Sequence, residues 1–309
     1  MKFYWIDALN EYEYSVTEGV IKVFEAVYEP YAKKNGFEFE YLDAAKILPV
    51  SSSSDMLLYD GRDVLKNKAS VFISYTNASS QVEKILESIT RMANESKTWV
   101  IANRTGKGIF LDKDKLAGIS MARRLGVPVL PTVLIPSNKR SRMLVGDIES
   151  VLGPYPYILK PKEMLAGIGI LKIDSAESFR SALDIVGQSS RDYIAQAFLK
   201  DAEDYRVYTE KGKIIACLRR QPVQGSYIAS ISRTGKGTSI TPPDAIVRLT
   251  EKIASKLLSD YLCVDWLVSG DEFRFSEIES GGGFSALPEP EKSRVARAFF
   301  MSNRREGLK

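Results

Sequence analysis

Short apolar runs alternate with helical stripes in the first third of the chain. Four runs rich in aromatic or β-branched residues have the length and composition of strands: residues 3–6, 37–42, 70–75 and 98–102. Between them, apolar residues at helical spacing predict two amphipathic helices, one with Val20, Val23 and Val27 and one with Val82, Leu86 and Ile89. Strand–helix–strand order predicts a parallel sheet with right-handed crossovers. Residues 49–63, which include four serines in a row, interrupt the pattern and are interpreted as a loop.

A second series of elements begins after residue 112. Its first helix is expected to start at Asp112 or Asp114, either of which suits an N-cap, and to end at Gly126. Strands are expected at 127–135, 155–161 and 167–173, followed by a helix that carries Phe179, Leu183 and Val186. Asp174 and Glu177 have capping-box spacing before that helix.

The last third combines strands, a helix and a basic end. A strand is expected at 193–199 and a hairpin at 204–221. The next helix is expected to start at Thr241-Pro242-Pro243, since proline is tolerated in the first turn. Residues 291–309 are locally basic and are interpreted as a solvated terminal helix.

The most informative segment is residues 261–283, a predicted hairpin with carboxylates on two neighbouring strands. Asp265 interrupts an apolar run, where an unpaired charge is costly to bury. Side chains alternate along a strand, so one face of the second strand is expected to carry Phe273, Phe275, Glu277 and Glu279. If residues 270–272 form a three-residue turn, Asp265 lies opposite Glu277, with Cβ atoms roughly 5 Å apart.

Carboxylates this close repel and raise one another's pKa unless a cation lies between them. All the ligands would be hard oxygens, so the expected ion is magnesium, held by Asp265, Glu277 and Glu279. Three exposed acids on an edge strand are the alternative. The apolar neighbours and the glycines at 281–283 favour the metal.

Composition narrows the classes of function. The chain has 309 residues, 44% of them hydrophobic and 27% charged, which is typical of a soluble protein with two or three domains. Its net charge of +4 is too small to indicate nucleic acid, and we expect neither a membrane span nor a secretory signal. The absence of histidine excludes a Ser-His-Asp triad and a histidine-ligated zinc. Cys217 and Cys263 lie in apolar runs and are expected to be reduced core residues, so we expect a cytoplasmic protein.

Several basic residues accompany the acids. Lys160 ends an apolar strand before Gly167-Ile168-Gly169, and such a loop can hold phosphates because glycine lets backbone N–H groups approach. A tight hairpin after an exposed lysine is the alternative. Strand alternation points Arg219 and Arg220 to opposite faces, so at most one of them can share a cavity with the acids.

Taken in order, five of these segments resemble the ATP-grasp superfamily: the helix after residue 112, the strand ending at Lys160, the strand at 193–199, the hairpin at 204–221 and the carboxylate hairpin. Within it they are most similar to the RimK-like carboxylate–amine ligases, such as those that add glutamate to a protein or an amino-group carrier. The resemblance implies an α/β (α+β) ATP-grasp fold. It divides the chain into an N-terminal parallel-sheet domain (1–112), a central subdomain (113–190) and a C-terminal subdomain with the metal site and terminal helix (191–309), the two subdomains clamping the nucleotide.

The resemblance also implies roles for individual residues. Lys115 and Lys160 match the lysines that contact ATP phosphates, and Asp204 stands beside the γ-phosphate. Arg206 and Arg220 match catalytic arginines at the phosphate and acyl site. The hinge strand that reads adenine, largely through its backbone, is matched by Gln196, Ala197, Phe198 and Leu199. Asp265, Glu277 and Glu279 match the magnesium ligands.

Three departures from that family bear on specificity. Glu279 stands where asparagine is usual in this branch and adds a negative charge. Met164 and Leu165 occupy a phosphate-covering loop that usually has smaller residues. Ile228 and Ser230 occupy a substrate-side loop that usually contains arginine and asparagine.

The expected function is ATP-dependent amide formation through an acyl phosphate, with release of ADP and phosphate. ATP and Mg²⁺ are the expected cofactors, and an amino acid, a peptide or an amino-group carrier protein is the expected substrate. Nucleic acid and membrane are not expected partners, and homo-oligomerisation is left open. An ATP-grasp enzyme that forms esters or macrocycles in a peptide, or a nucleotide-binding regulatory protein, is the alternative.

Overall fold

The computed structural model describes residues 1–8, 14–75, 78, 80–102, 114–137, 141–164, 167–189, 191–228 and 236–302. Its strands are β1 (Lys2–Asp7), β2 (Glu38–Asp43), β3 (Leu48–Ser51), β4 (Asp55–Tyr59), β5 (Arg62–Asp63), β6 (Ala69–Ile73), β7 (Trp99–Ile101), β8 (Thr132–Ile135), β9 (Tyr157–Pro161), β10 (Leu171–Ile173), β11 (Tyr193–Ala197), β12 (Glu203–Glu210), β13 (Lys213–Gln221), β14 (Lys236–Ser239), β15 (Tyr261–Ser269) and β16 (Glu272–Glu279). Its α-helices are α1 (Tyr14–Val23), α2 (Glu29–Lys34), α3 (Ser80–Glu95), α4 (Lys115–Arg124), α5 (Val145–Leu152), α6 (Ala176–Val186), α7 (Asp244–Leu257) and α8 (Glu291–Met301).

The predicted parallel sheet is confirmed. Its strands are all parallel and follow the order β2–β1–β6–β7. The stripe on α3 packs on this sheet as expected, with Val82, Leu86 and Ile89 buried. Between α1 and α2, a π-helical turn at Phe24–Tyr28 interrupts the predicted helix. Phe24 and Tyr28 are buried there, whereas the predicted valine stripe is only partly buried.

The expected loop at 49–63 is wrong, because these residues form a small antiparallel sheet of β3, β4 and β5. The serines make only the turn of its first hairpin, where Ser51 pairs with Asp55. Leu57 anchors the sheet in the core, and the Asp63 carboxylate accepts hydrogen bonds from the backbone N–H of Leu57 and Leu65, each at 3.2 Å. The run of serines hid this pairing, because polar turn residues are the same in a loop and in a hairpin.

A second sheet follows the order β10–β9–β11–β8, and a third the order β14–β13–β12–β15–β16. Asp114 caps α4 as predicted, its carboxylate accepting a hydrogen bond from the Ala117 N–H at 3.0 Å. The predicted cap of α6 is wrong by one residue, since Ser175 and Ser178 form the capping box. Strand β11 pairs with β8 and β9, so it belongs to the sheet of the preceding segment. The domain boundaries themselves stay a prediction.

The interpretation of the basic C-terminal segment as a solvated helix is wrong for α8. Its residues Val295, Phe299 and Phe300 are buried, and the Phe299 ring lies 5.6 Å from Phe3 and 5.4 Å from Tyr261. The charged residues fall on the other side of the helix, so its net charge concealed an apolar face. Helix α8 therefore ties the parallel sheet to the five-stranded sheet. Within the described residues, each helix is too short or too polar to cross a membrane.

Candidate active site

The two central carboxylates face each other across β15 and β16. Asp265 pairs with Glu277, which confirms the predicted pairing. The route to it differs, because Ser269 pairs with Glu272 and the turn therefore has two residues, not three. A bulge between Asp265 and Trp266 adds Ser276 to one strand and restores the register.

The bulge overturns the prediction that Phe273, Phe275, Glu277 and Glu279 share one face. Paired residues of an antiparallel ladder project to the same side, and Phe275 pairs with Trp266 whereas Glu277 pairs with its neighbour Asp265. The two phenylalanines pack on Trp266, with ring centroids at 5.8 Å and 6.2 Å. The two glutamates line a cavity on the opposite side. The extra residue thus separates core from site.

Asp265, Glu277 and Glu279 form a compact cluster. Each offers a carboxylate oxygen, and these oxygens lie within 4.8 Å of one another. Asp265 is completely buried and Glu279 nearly so, whereas Glu277 is partly exposed. Such an arrangement of hard oxygens can hold a divalent cation.

Two buried arginines neutralise part of this charge. Arg206 makes a bidentate contact with Asp265, Nε to Oδ1 at 2.9 Å and Nη2 to Oδ2 at 2.7 Å, and its Nη2 lies 2.5 Å from Glu279 Oε1. Arg220 Nη2 donates to Asp204 Oδ1 at 2.5 Å and to Asp265 Oδ2 at 2.6 Å. Arg219 points to the other face and bonds Glu203 at 2.5 Å. The prediction that only one of the adjacent arginines joins the acids is confirmed.

The surroundings give these carboxylates different pKa values. Burial alone would raise the pKa of Asp265, but the charges of Arg206 and Arg220 outweigh it and hold that pKa at about 2. Burial raises the pKa of Glu279 to about 7 and that of Asp204 to about 6, although Arg206 and Arg220 oppose these shifts. Asp265 is therefore the firmly ionised member of the group.

Two lysines approach the cluster, one from α4 and one from β9. Lys115, at the start of α4, has its Nζ 3.4 Å from Glu277 Oε2 and 2.5 Å from the carbonyl oxygen of Met164. Lys160 is buried near the end of β9, and this burial lowers its pKa to about 8 despite the charge of Glu277. Both lysines line the same cavity as the acids.

The segment from Gln196 to Leu199 lines another part of that cavity. The Gln196 side chain is buried and donates to Thr132 Oγ1 at 2.8 Å. The N–H groups of Ala197 and Phe198 donate to the carbonyl oxygens of Pro131 and Pro156, at 3.3 Å and 3.1 Å. The segment expected to read adenine thus lies on the cavity wall, and two of its amides are already used within the protein.

The cavity has a volume of about 1260 Å³. It is lined by eleven of the twelve site residues expected from the sequence, while the fully buried Asp265 lies behind the wall. Met164 and Ile228 also line it, whereas Leu165 and Ser230 lie outside the described residues. Cys217 and Cys263 are free and buried, as predicted.

Sequence reasoning missed the contribution of the N-terminal sheet to the cavity wall. Trp5, Asp7, Phe72 and Ser74 line the cavity from the sheet or its strand ends, and the adjoining helical segment adds Gly19, Val20, Val23, Phe24 and Tyr28. The available signal was the position of Asp7 and Ser74, since each follows the apolar part of a predicted strand at its carboxyl end.

The glycines after β16 allow this sheet to approach the acids. A Cβ atom on Gly281 would collide with the Phe72 ring, and one on Gly282 would stand 2.5 Å from Cys263 Sγ and 3.3 Å from Arg206 Nη1. Only glycine lets the backbone pass between the aromatic residues and the arginine.

Comparisons with known proteins agree with this architecture. Residues 131–284 match the family model of the prokaryotic glutathione synthetase ATP-grasp domain. A probable α-L-glutamate ligase from Aeromonas salmonicida is 25% identical over 265 residues, which cover 83% of this chain and 84% of the relative. The fold resembles that of D-cycloserine synthetase DcsG, with a TM-score of 0.70, 11% identity and full coverage of both chains. It also resembles the macrocyclase MdnC from Microcystis aeruginosa, solved with its precursor peptide MdnA, with a TM-score of 0.63, 14% identity, and coverage of 98% and 99%.

Fold, family match and relatives together define an ATP-dependent ligase. Residues 131–284 form its ATP-grasp domain, and its similarity to α-L-glutamate ligases supports the RimK-like branch of carboxylate–amine ligases.

Proposed function

We propose that the protein joins a carboxylate to an amine through an acyl phosphate. A carboxylate oxygen of the substrate attacks the γ-phosphorus of ATP and ADP leaves. The amine nitrogen then attacks the acyl carbon, the C–O bond to phosphate breaks, and the amine proton passes to phosphate or water. The observation that carries the proposal is the cluster of Asp265, Glu277 and Glu279 with Arg206 and Arg220, of which all but the buried Asp265 line one cavity.

The acids suit magnesium, the ion that ATP-grasp chemistry implies. Their oxygens are hard donors within 4.8 Å of one another. Asp265 Oδ2 accepts from both arginines, whereas Oδ1 accepts only from Arg206 Nε among the described residues. Oδ1 thus keeps a lone pair for a cation beside the glutamates. When bound, the ion would neutralise charge on the transferring phosphoryl group.

The basic residues are assigned to the phosphates. Lys115 and Lys160 would bind the phosphates of ATP, with Asp204 orienting Arg220 nearby. Arg220 would bind the acyl phosphate, because a guanidinium can make two parallel charged hydrogen bonds, and Arg206 would hold Asp265 and Glu279 in place. Since Ala197 and Phe198 use their N–H groups internally, we assign adenine recognition to the backbone of Leu199.

The relatives support a broad class of substrate for this protein and no particular acceptor. The probable α-L-glutamate ligases support an amino acid or a peptide as substrate. The altered residues Met164 and Ile228 lie on the cavity wall, where they would make the acceptor differ from that of other RimK-like enzymes.

The test is magnesium-dependent release of ADP across a panel of single amino acids, amino-acid pairs and short peptides, with products identified by mass spectrometry. Release of ADP with a new amide product supports the proposal. Ester-linked products would move the assignment to a hydroxyl nucleophile. ATP binding without ADP release in the whole panel would contradict it.

A further inference from the structure

Asp7 is a buried carboxylate for which the proposed reaction has no role. It is the last residue of β1, is 4% exposed and lines the cavity. Among the described residues it forms no ion pair with a lysine or arginine. Its carboxylate accepts hydrogen bonds from the Ala8 N–H at 2.7 Å and from Trp5 Nε1 at 3.4 Å, and Ser74 is a further hydrogen-bond partner. A negative charge here would be buried without a cation from the described part of the chain.

The topology of the sheet makes this end a binding position. The chain passes from β1 to β2 on one side, whereas β6 lies on the other side of β1. The crevice between β1 and β6 is therefore a switch point, where ligands bind at the carboxyl ends of strands in open α/β sheets. Asp7 ends β1 and Ser74 directly follows β6, so both residues border this crevice.

Trp5, which donates to Asp7, lies in an aromatic cluster that reaches the segment after the metal-site strand. The Trp5 ring lies 4.2 Å from Phe72, 5.1 Å from Phe24 and 5.3 Å from Tyr28, measured between centroids. Phe72 in turn contacts the backbone at Gly281, two residues beyond Glu279. Apolar surroundings exclude water and strengthen an ion pair formed inside them. Burial, together with the nearby charge of Asp43, raises the pKa of Asp7 to about 7, and a cation bound beside it would favour the ionised form.

We propose that Asp7 and Ser74 bind a protonated amino group of the substrate. The inference rests on the proposed function and adds a requirement to it: the substrate carries an alkylammonium group at one end and its reacting group at the other. The ammonium bound at Asp7 is not the nucleophile, because a neighbouring carboxylate favours the protonated amine, which cannot attack an acyl carbon. Its source would be the α-amino group of an amino acid or an amino group of a peptide.

A purely local role for Asp7 is the competing explanation, and Asp43 provides the matched control. Asp43 ends β2, pairs with Asp7 in register and accepts a hydrogen bond from the Ala45 N–H at 3.0 Å. It is 8% exposed but does not line the cavity. Asp7→Asn and Asp43→Asn each remove one buried carboxylate and keep an amide oxygen for the backbone N–H.

The test uses 5-fluorotryptophan labelling, because the chain has three tryptophans and only Trp5 contacts Asp7. Butylammonium chloride is titrated into the full-length protein, with 1-butanol as the uncharged probe, and ¹⁹F spectra report on Trp5, Trp99 and Trp266. We expect a saturable shift of the Trp5 signal alone with butylammonium. Asp7→Asn should weaken this binding at least about tenfold, as loss of a charged hydrogen bond implies, while Asp43→Asn, which removes only a nearby charge, should change it far less. Equal shifts in wild type and Asp7→Asn, or equal shifts with both probes, would overturn the proposal.

Turnover separates this site from the proposed function. With a substrate that releases ADP, Asp7→Asn should raise the KM for the amino-bearing substrate at least about tenfold and leave the KM for ATP unchanged. If the protein binds butylammonium but releases ADP with no substrate, the amino-group site stands and the proposed reaction is wrong. If the protein releases ADP but the Trp5 signal does not respond to butylammonium, the proposed reaction stands and the amino-group site is wrong.

Discussion

The residues at the centre of the site pair four carboxylates with four basic groups. The acids are Asp204, Asp265, Glu277 and Glu279, and the bases are Lys115, Lys160, Arg206 and Arg220. When all eight are ionised, their formal charges cancel. The phosphates of ATP would add several negative charges to this balanced cluster, which is a physical reason to expect that binding requires additional cations.

Glu277→Gln is the cleanest test of the metal site. Its carboxylate has only Lys115 as an ion-pair partner among the described residues, at 3.4 Å, so its loss should leave the fold intact. We expect magnesium-dependent ADP formation to fall below detection, because one ligand charge is lost from a shared site. Asp265→Asn should also lose activity but cost about 3–5 kcal/mol of stability, since it leaves two buried arginines underpaired. Near-normal turnover in both variants would exclude these acids as metal ligands.

Lys160 can be tested against a lysine two positions away. Lys162 points out of the cavity toward Asp114 and Glu163, at 3.6 Å and 3.3 Å. Lys160→Ala should weaken ATP binding roughly tenfold to a hundredfold, the loss expected for a charged hydrogen bond, while Lys162→Ala should change it little. Calorimetry with Mg-ATP gives both affinities. Equal affinities would remove Lys160 from the phosphate site.

Arg219 and Arg220 provide a matched pair for the acyl phosphate. Arg220 contacts Asp204 and Asp265, whereas Arg219 contacts Glu203 on the other face of β13. Arg220→Lys should lower kcat roughly 10²–10³-fold with little change in ATP affinity, because an ammonium cannot reproduce the two parallel hydrogen bonds. Arg219→Lys should leave product formation unchanged. If Arg219→Lys is the impaired variant, the acyl phosphate lies on the opposite face of the strand.

At the scale of elements, the pairing within the carboxylate hairpin was predicted correctly, although the assumed turn length was wrong. The turn signal and the alternation predicted Asp265 opposite Glu277, and the structure agrees. The same alternation placed Phe273 and Phe275 on the face of the glutamates, because strict alternation assumes that the strand has no bulge. The extra residue Ser276 lets Phe275 pack on Trp266 on one face of the hairpin while Glu277 pairs with Asp265 on the other face.

Gly281→Ala tests the close approach of the N-terminal sheet to this hairpin. The added methyl group would collide with the Phe72 ring, and we expect a loss of about 1–3 kcal/mol in stability together with reduced activity. Gly146→Ala is the control, because Gly146 is exposed within α5 with open space around its Cβ position. That substitution should raise stability by about 0.5–1 kcal/mol. Thermal unfolding gives the stability of both variants. If Gly281→Ala is as stable as the wild type, the close contact with Phe72 is wrong.

For the whole molecule, α8 joins sheets that are distant in sequence. Phe299 packs on Phe3 and Phe72 of the parallel sheet and on Tyr261 of the five-stranded sheet. Phe299→Ala should cost about 3–5 kcal/mol by opening a cavity in this shared core, and ATP-dependent turnover should fall with it. Met143→Ala, at a side chain that is 81% exposed, should change neither. Calorimetric unfolding and ADP release measure the two effects. An unchanged unfolding temperature in Phe299→Ala would show that α8 does not hold the two sheets together.

The sequence by itself determined the parallel sheet, the buried stripe of α3, the pairing of Asp265 with Glu277 and the opposite orientations of Arg219 and Arg220. These features depend on periods of two and 3.6 residues and on short-range turn chemistry, which are written along the chain. Tertiary structure alone decided the rest: the small sheet at 48–63, the buried face of α8, the bulge at Ser276 and the reach of Asp7 into the cavity. The buried face of α8 and the position of Asp7 depend on partners far away in the sequence. The small sheet and the bulge pair nearby residues, but packing against the core decides which side chains turn inward and overrides the local pattern.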